Sequence, residues 1–150
     1  MLKEFYTKAM PDEGVYCVAF NTPDTTSFNH EYTTSLEEAI TLIHKYTKES
    51  KNTFIAMGTF ETKERKAANT KYVKSLYLDL DVGETKDYAS QKEALLALTK
   101  FIEDTKLPFP AVVNSGNGIH AYWFLKSQID REQWKPIADR FKNLCVQEGL

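Results

Sequence analysis

The sequence predicts an α+β domain, and three observations predict it. Apolar residues alternate along short runs, others recur at helical period behind capping motifs, and turn signals separate the two kinds of segment. The 150 residues, 42% apolar and 13% aromatic, suffice for one ordinary core and argue against disorder. No repeat, low-complexity tract or long Gly/Ser linker interrupts the chain, so one domain built from two consecutive segments is expected, 1–74 and 75–150.

In the first segment VYCVAF (Val15 to Phe20) has the aromatic and β-branched bias of a strand, and the turn residues Asn21, Thr22, Pro23 and Asp24 end it. Ser35 and Glu38 stand at capping-box spacing. Leu36, Ala39, Ile40, Ile43 and Tyr46 then recur at helical period, which predicts a helix to about Glu49. TFIAMGTF (Thr53 to Phe60) predicts one further strand, followed by a polar, basic stretch from Glu61 to Lys74.

The second segment is more regular. SLYLDLDV (Ser75 to Val82) alternates, placing Leu76, Leu78, Leu80 and Val82 on one face and Tyr77, Asp79 and Asp81 on the other, and Gly83 helps to end it. Ser90 and Glu93 form a second capping box. Ala94, Leu95, Leu98, Phe101 and Ile102 mark its helix, which must stop before Pro108. PAVVNS and HAYWFL predict two strands joined by the loop Gly116, Asn117, Gly118, Ile119. Asp130 and Gln133 open a third capped helix with Trp134, Ile137, Phe141 and Leu144 as its apolar stripe and Gly149 as its stop. Pro136 removes one backbone bond inside that helix and predicts a kinked or late-starting first turn. The order β-α-β-β-α supplies five of the six elements of a split βαβ, ferredoxin-like unit, and the last strand is missing. The whole reads as an N-terminal αβ module packed on this incomplete βαββα(β) module, and as a fragment of a longer protein.

Composition narrows the function classes. Runs such as AVV and AYWFL fall far short of the about 18 apolar residues of a spanning helix, and MLKEFYTKAMPDEG lacks the apolar core of a signal peptide. A soluble, cytoplasmic protein with no membrane partner is expected. Cys17 and Cys145 have no paired neighbours, so neither a disulfide framework nor a zinc site is indicated, and both read as small buried hydrophobes. A net charge of −2 counts against a pure nucleic-acid-binding module, though not against an enzyme that gathers positive charge into one groove.

Asp79 and Asp81 are the strongest chemical feature. At i, i+2 on a strand they point the same way, with Cβ atoms roughly 6.5 to 7 Å apart. Two carboxylates facing one cleft repel each other, a divalent cation is the natural compensation, and an all-oxygen donor set favours Mg²⁺ or Mn²⁺ over zinc. The plainer alternative is two charges on the solvated face of an edge strand.

The second feature is the stretch from Asn114 to His120. If Ser115 ends one strand and His120 begins its partner, a four-residue loop sets the two side chains opposite each other on one face. Gly116 and Gly118 permit positive φ and leave backbone N–H groups unshielded, so hydroxyl, imidazole and amides make a cradle for phosphate oxygens. An ordinary Asn-Gly hairpin explains the glycines as well. Position favours the cradle, because in the β-α-β-β-α order the acidic strand and this hairpin are sheet neighbours. The basic run Lys63, Arg65, Lys66, Lys71 and Lys74 reads as a solvated loop or as a phosphate path, with the forked guanidinium of Arg65 its best phosphate ligand. Tyr122 and Trp123 must point to opposite faces, one towards the core, and stacking of a base or sugar on Tyr122 competes with simple packing. His30 and His44 lack partners at ligand spacing, and Trp134 and Phe141 read as core.

LYLDLDVG followed by VVNSGNGIHAYWFL resembles motifs I and II of the archaeo-eukaryotic primase superfamily, and SGNGIHAYWFL is similar to the primase-polymerase domains of phage and plasmid replication proteins. The resemblance implies an RRM-like catalytic module and a DNA primase or polymerase activity in replication: a nucleotidyltransferase joining NTPs or dNTPs on a single-stranded DNA template and primer. It implies catalytic roles for Asp79, Asp81 and His120, with Asp79 and Asp81 holding Mg²⁺ or Mn²⁺. Ser115, Gly116, Gly118, His120 and Arg65 would bind the nucleotide. The metals of such a pair would lie about 3.5 to 4 Å apart. A helicase domain or partner, and the cytoplasm of a bacterial host or phage-infected cell, also follow from it. The family pattern has a third acidic motif on a later strand, and no acidic residue from Asp130 to Glu148 replaces it, because all lie on the amphipathic last helix. Two rivals stand beside this reading. One is a non-catalytic nucleic-acid-binding or replication-initiation module on the same sheet; the other is a nucleotide-sugar transferase using the same pair of aspartates, which leaves the hairpin unexplained.

Overall fold

A computed structural model describes residues 2–150. Its elements run α1 (Leu2–Ala9), β1 (Tyr16–Asn21), β2 (Asn29–Thr33), α2 (Leu36–Lys48), β3 (Asn52–Ile55), β4 (Gly58–Phe60), β5 (Thr70–Asp81), α3 (Gln91–Thr105), β6 (Ala111–Asn114), β7 (Gly118–Asp130) and α4 (Arg131–Gln147). The fold is mixed α+β with two sheets, ordered β2-β1-β3 and β4-β5-β7-β6. Contacts divide the chain into two compact units, residues 1–74 with 125–134, and residues 75–124 with 135–150. Among the described residues no helix is long and apolar enough to cross a membrane.

In the first unit β1 is the central strand, antiparallel to both neighbours, with Val18 opposite Glu31 of β2 and Ile55 of β3. Met10, Tyr16, Val18, Ala39 and Tyr46 form its core, and Phe20 stacks on Tyr46 at 3.8 Å between ring centroids. Ser35 caps α2 by accepting the Glu38 N–H at 3.2 Å, but the Glu38 carboxylate accepts the Thr33 hydroxyl instead of closing the box. Ser35 N–H goes to Thr33 Oγ1. The capping box is therefore shared among three residues, and the helix starts where its spacing requires.

Two expectations are corrected here. TFIAMGTF is not one strand: it breaks at Ala56 and Met57 into β3 and β4, which belong to different sheets. An apolar run carries no label for the sheet it joins; the break follows from partners, with Ala56 N–H bonded to the Cys17 carbonyl and Gly58 opposite Val73 of β5. Nor are the two units consecutive segments. The 13-residue strand β7 outruns HAYWFL at both ends, and its last part belongs to the first unit, where Gln128 Oε1 accepts the N–H groups of Asp12 and Glu13 at 2.8 and 3.1 Å. Neither α1 nor β2 carried a periodic signal long enough to be foreseen.

In the second unit Leu80, Ala94, Leu98, Phe101, Ile102, Ile119, Ala121, Trp123 and Cys145 form the core between one sheet face and helices α3 and α4. Ser90 caps α3 through the Glu93 N–H at 3.1 Å, and Lys106, at φ 61°, ends it ahead of Pro108. The cap of α4 is reciprocal: Gln133 N–H donates to Asp130 Oδ1 at 2.8 Å, and Asp130 N–H to Gln133 Oε1. With that cap in place α4 begins at Arg131 and continues through Pro136, so it does not start late. Gly149 N–H to the Val146 carbonyl and Leu150 N–H to the Cys145 carbonyl close it as a Schellman motif. Phe141 packs edge-on against Trp123 at 5.1 Å, whereas Ile137, expected in the stripe, is 42% exposed.

Candidate functional site

The site is built on β5 and β7, which are neighbours in the four-stranded sheet. On β5 the side chains of Leu76, Leu78, Leu80 and Val82 go to the core, and alternation sends Tyr77, Asp79 and Asp81 to the other face. On β7 Ile119, Ala121 and Trp123 go to the core, which sends His120 and Tyr122 to that same face. Asp79 and His120 meet there, Oδ1 to Nε2 at 3.2 Å, and His120 Nδ1 lies 3.2 Å from the Tyr122 hydroxyl. An ionised carboxylate can only accept, so in a neutral imidazole the proton sits on Nε2 and Nδ1 accepts from the tyrosine. The ring is held at both nitrogens. Asp79 and Asp81 keep more than half of their side-chain surface in water.

The hairpin differs from its expected form. The register pairs Val113 with His120 and Asn114 with Ile119, and Ser115 N–H bonds to the Gly118 carbonyl at 3.1 Å. Ser115 therefore stands across from Gly118, one rung away from His120 along the face, because the loop is two residues long and the strand begins two residues earlier. The amides are also less open than expected. Gly116 N–H donates to Asn114 Oδ1 at 2.8 Å, and the same oxygen accepts from Gln91 Nε2 at 2.9 Å, which ties the loop to the first turn of α3.

The two glycines serve different ends. Gly116 has φ +87°, as a tight turn needs. Gly118 is not among the positive-φ glycines; a Cβ there would stand 2.1 Å from the Leu80 carbonyl oxygen. Its lack of a side chain lets β7 close on β5, and the Val82 N–H to Asn117 carbonyl bond of 2.9 Å fastens the loop beside the end of the acidic strand.

Sequence reasoning missed Lys86. The bonds Gly83 N–H to the Tyr88 carbonyl and Lys86 N–H to the Gly83 carbonyl fold the segment after β5 back on itself, which brings Lys86 Nζ to 3.7 Å from Asp81. A Gly-bounded turn straight after the acidic pair was its only signal. Both partners are more than half exposed, so the pair is weak and easily exchanged. Arg65 belongs to the first unit, where its charge acts on the Cys17 thiol and its backbone on the Tyr32 hydroxyl.

Among the described residues no group of three or more His, Cys, Asp and Glu side chains is arranged to hold a metal. A divalent ion would have to complete its shell from water and ligand phosphate, as Mg²⁺ commonly does with one or two protein carboxylates. The donor set of Asp79 and Asp81 fits that mode and does not fit zinc. A pocket of about 330 Å³ lies in the first unit between Glu61, Lys71, Asp130, Arg131 and Glu132, where acidic side chains outnumber basic ones by one; none of the residues of the β5–β7 face lines it. Cys17 and Cys145 are both buried, and burial pushes both thiols up, which keeps them protonated and inert.

No protein-family model, no curated protein and no solved structure matches this chain.

Proposed function

We propose that the chain is the catalytic part of a template-directed nucleotidyltransferase of the primase-polymerase kind, using Mg²⁺ or Mn²⁺ to join NTPs or dNTPs on single-stranded DNA in replication. One observation carries the reading: Asp79 and His120, from the two motifs that resemble those of the family, lie on neighbouring strands with 3.2 Å between Oδ1 and Nε2, and Asp81 shares their face. The strand order β5-β7-β6, with β7 between the two strands that α3 connects, supports a ferredoxin-like, RRM-like module.

In this reading Asp79 and Asp81 supply hard oxygen donors from one rigid strand. A bound divalent ion would neutralise phosphate charge and polarise the phosphorus centre under attack. His120, kept as an Nε2–H donor by Tyr122, turns from Asp79 to a phosphate oxygen when nucleotide enters. Lys86 exchanges Asp81 for the triphosphate. Ser115, exposed at the hairpin, contributes its hydroxyl at the outer end; Gly116 and Gly118 act through the turn shape and the close strand approach rather than through free amides. A role for Arg65 rests only on its forked guanidinium within the basic run of the sequence.

The test is incorporation of labelled nucleotide on a primed single-stranded template with Mn²⁺. Asp79→Ala combined with Asp81→Ala is expected to abolish it, and unchanged incorporation would remove the proposal. The rival, a non-catalytic nucleic-acid-binding module, draws on the absence of a third metal-binding side chain among the described residues. It predicts salt-sensitive DNA binding that is indifferent to metal and nucleotide.

A further inference from the structure

The β5–β7 face has a direction. Three rungs cross it, each made of one residue from β5 and one from β7: Asp81 with Gly118, Asp79 with His120, and Tyr77 with Tyr122. Gly118 abuts the Leu80 carbonyl, His120 touches Asp79, and the Tyr122 ring lies 6.4 Å from that of Tyr77, so the numbering falls on one strand as it rises on the other. Lys86 and the Ser115 turn sit at the Asp81 end. Tyr77 and Tyr122 mark the opposite end. There Tyr77 is 49% exposed, an unusual state for a tyrosine in an inner strand, and its ring is inclined at 39° to that of Tyr122. Tyr122 is held by His120 at its hydroxyl, which leaves Tyr77 as the ring with an open face.

A ligand that satisfies all three rungs carries anionic oxygens at one end and a flat ring at the other. We propose that Tyr77, backed by Tyr122, is the nucleoside end of the site, stacking on the base or sugar of a nucleoside triphosphate whose phosphates run past Asp79 and His120 towards Lys86. This rests on the nucleotide reading above and adds to it an orientation and a residue. Adjacent same-face positions on a strand are about 7 Å apart, which suits the reach from a phosphate to the sugar and base it carries. Aromatic stacking tolerates any base, so the pair selects nucleotides as a class and does not select among bases.

The experiment compares a nucleoside triphosphate with inorganic triphosphate, each titrated with Mn²⁺ into the chain and into Tyr77→Ala, Tyr77→Phe and Asp79→Asn. The intact chain is expected to prefer the nucleotide. Tyr77→Ala should weaken nucleotide binding by about fivefold or more while leaving inorganic triphosphate where it was. Tyr77→Phe, which keeps the ring, should restore the preference. Far-UV dichroism of each variant checks that the fold is kept, as a half-exposed position allows. If Tyr77→Ala keeps the full preference, or weakens both ligands alike, the inference falls and the nucleotide site survives. If the intact chain binds neither ligand, or Asp79→Asn binds both as well as the intact chain, the site and the inference fall together.

Discussion

β1 and β5 are both inner strands with neighbours on either side, yet they differ in what they can do. In β1, Tyr16, Cys17, Val18 and Ala19 are all 2% exposed or less, on both faces of the strand. In β5, Leu80 is 4% exposed while the side chains of Asp79 and Asp81 on either side of it are more than half exposed. A strand closed on both faces has only packing to offer, because an ionised group there would lose its hydration without compensation. A strand closed on one face keeps rigid backbone and wet carboxylates together, and chemistry needs both.

The contrast is broken most directly by placing the same charge on each strand. Val18→Asp inserts an unpaired carboxylate at a position of zero exposure and is expected to abolish the cooperative unfolding transition of the first unit. Tyr77→Asp, on the open face, keeps its charge in water and should cost far less, about 1 to 2 kcal/mol from the lost ring contact with Tyr122 and repulsion by Asp79. Urea denaturation followed by circular dichroism reads both, and similar losses in the two would sink the contrast.

A smaller effect is expected where β7 closes on β5. Gly118→Ala drives a Cβ into the Leu80 carbonyl, and relieving it should cost about 1 to 3 kcal/mol. The same substitution moves His120 away from Asp79, so Mn²⁺-dependent nucleotide binding should weaken along with stability. Gly116→Ala, where a Cβ meets nothing within 4 Å, strains only the φ of the turn and should leave the strand contact intact. Equal binding losses in the two would show that the close approach has no special part.

An effect confined to alkaline pH belongs to the closed region. The hydrogen bond from the Tyr46 hydroxyl to Glu31 at 2.6 Å, and then burial, push this phenol up from 10.0 to about 12. A raised pKa in the folded state means that its contribution to stability is complete below the unfolded value of 10.0 and disappears as pH climbs towards about 12. Glu31→Gln should move tyrosinate absorbance of the folded chain to lower pH and flatten that alkaline loss. An unchanged alkaline titration would mean that the bond does not govern Tyr46.

Local signals were legible wherever one residue suffices to state them. Ser35, Ser90 and Asp130 each mark a helix start, because a side-chain oxygen satisfies an N–H that the helix itself leaves free. Leu76 to Val82 announced its two faces, because period-two alternation has no other use. Partnership was not legible. Thr53 to Phe60 gave no sign that it would be divided between two sheets, Ile137 matched helical period yet stayed exposed, and Ser115 was expected opposite His120 where the register sets Val113.

The amino-acid order alone determined that Asp79 and Asp81 leave their strand on the side away from its leucines, and that a glycine-rich turn precedes His120. It could not determine that these features meet. That depended on β7 lying directly beside β5 in a register set by the bare Cα of Gly118, a fit between backbones far apart in the chain, and on a turn after β5 that returns Lys86 to Asp81. Alternation and capping are properties of neighbouring residues and can be written into a short stretch, whereas register is a property of two stretches at once and exists only when they are brought together.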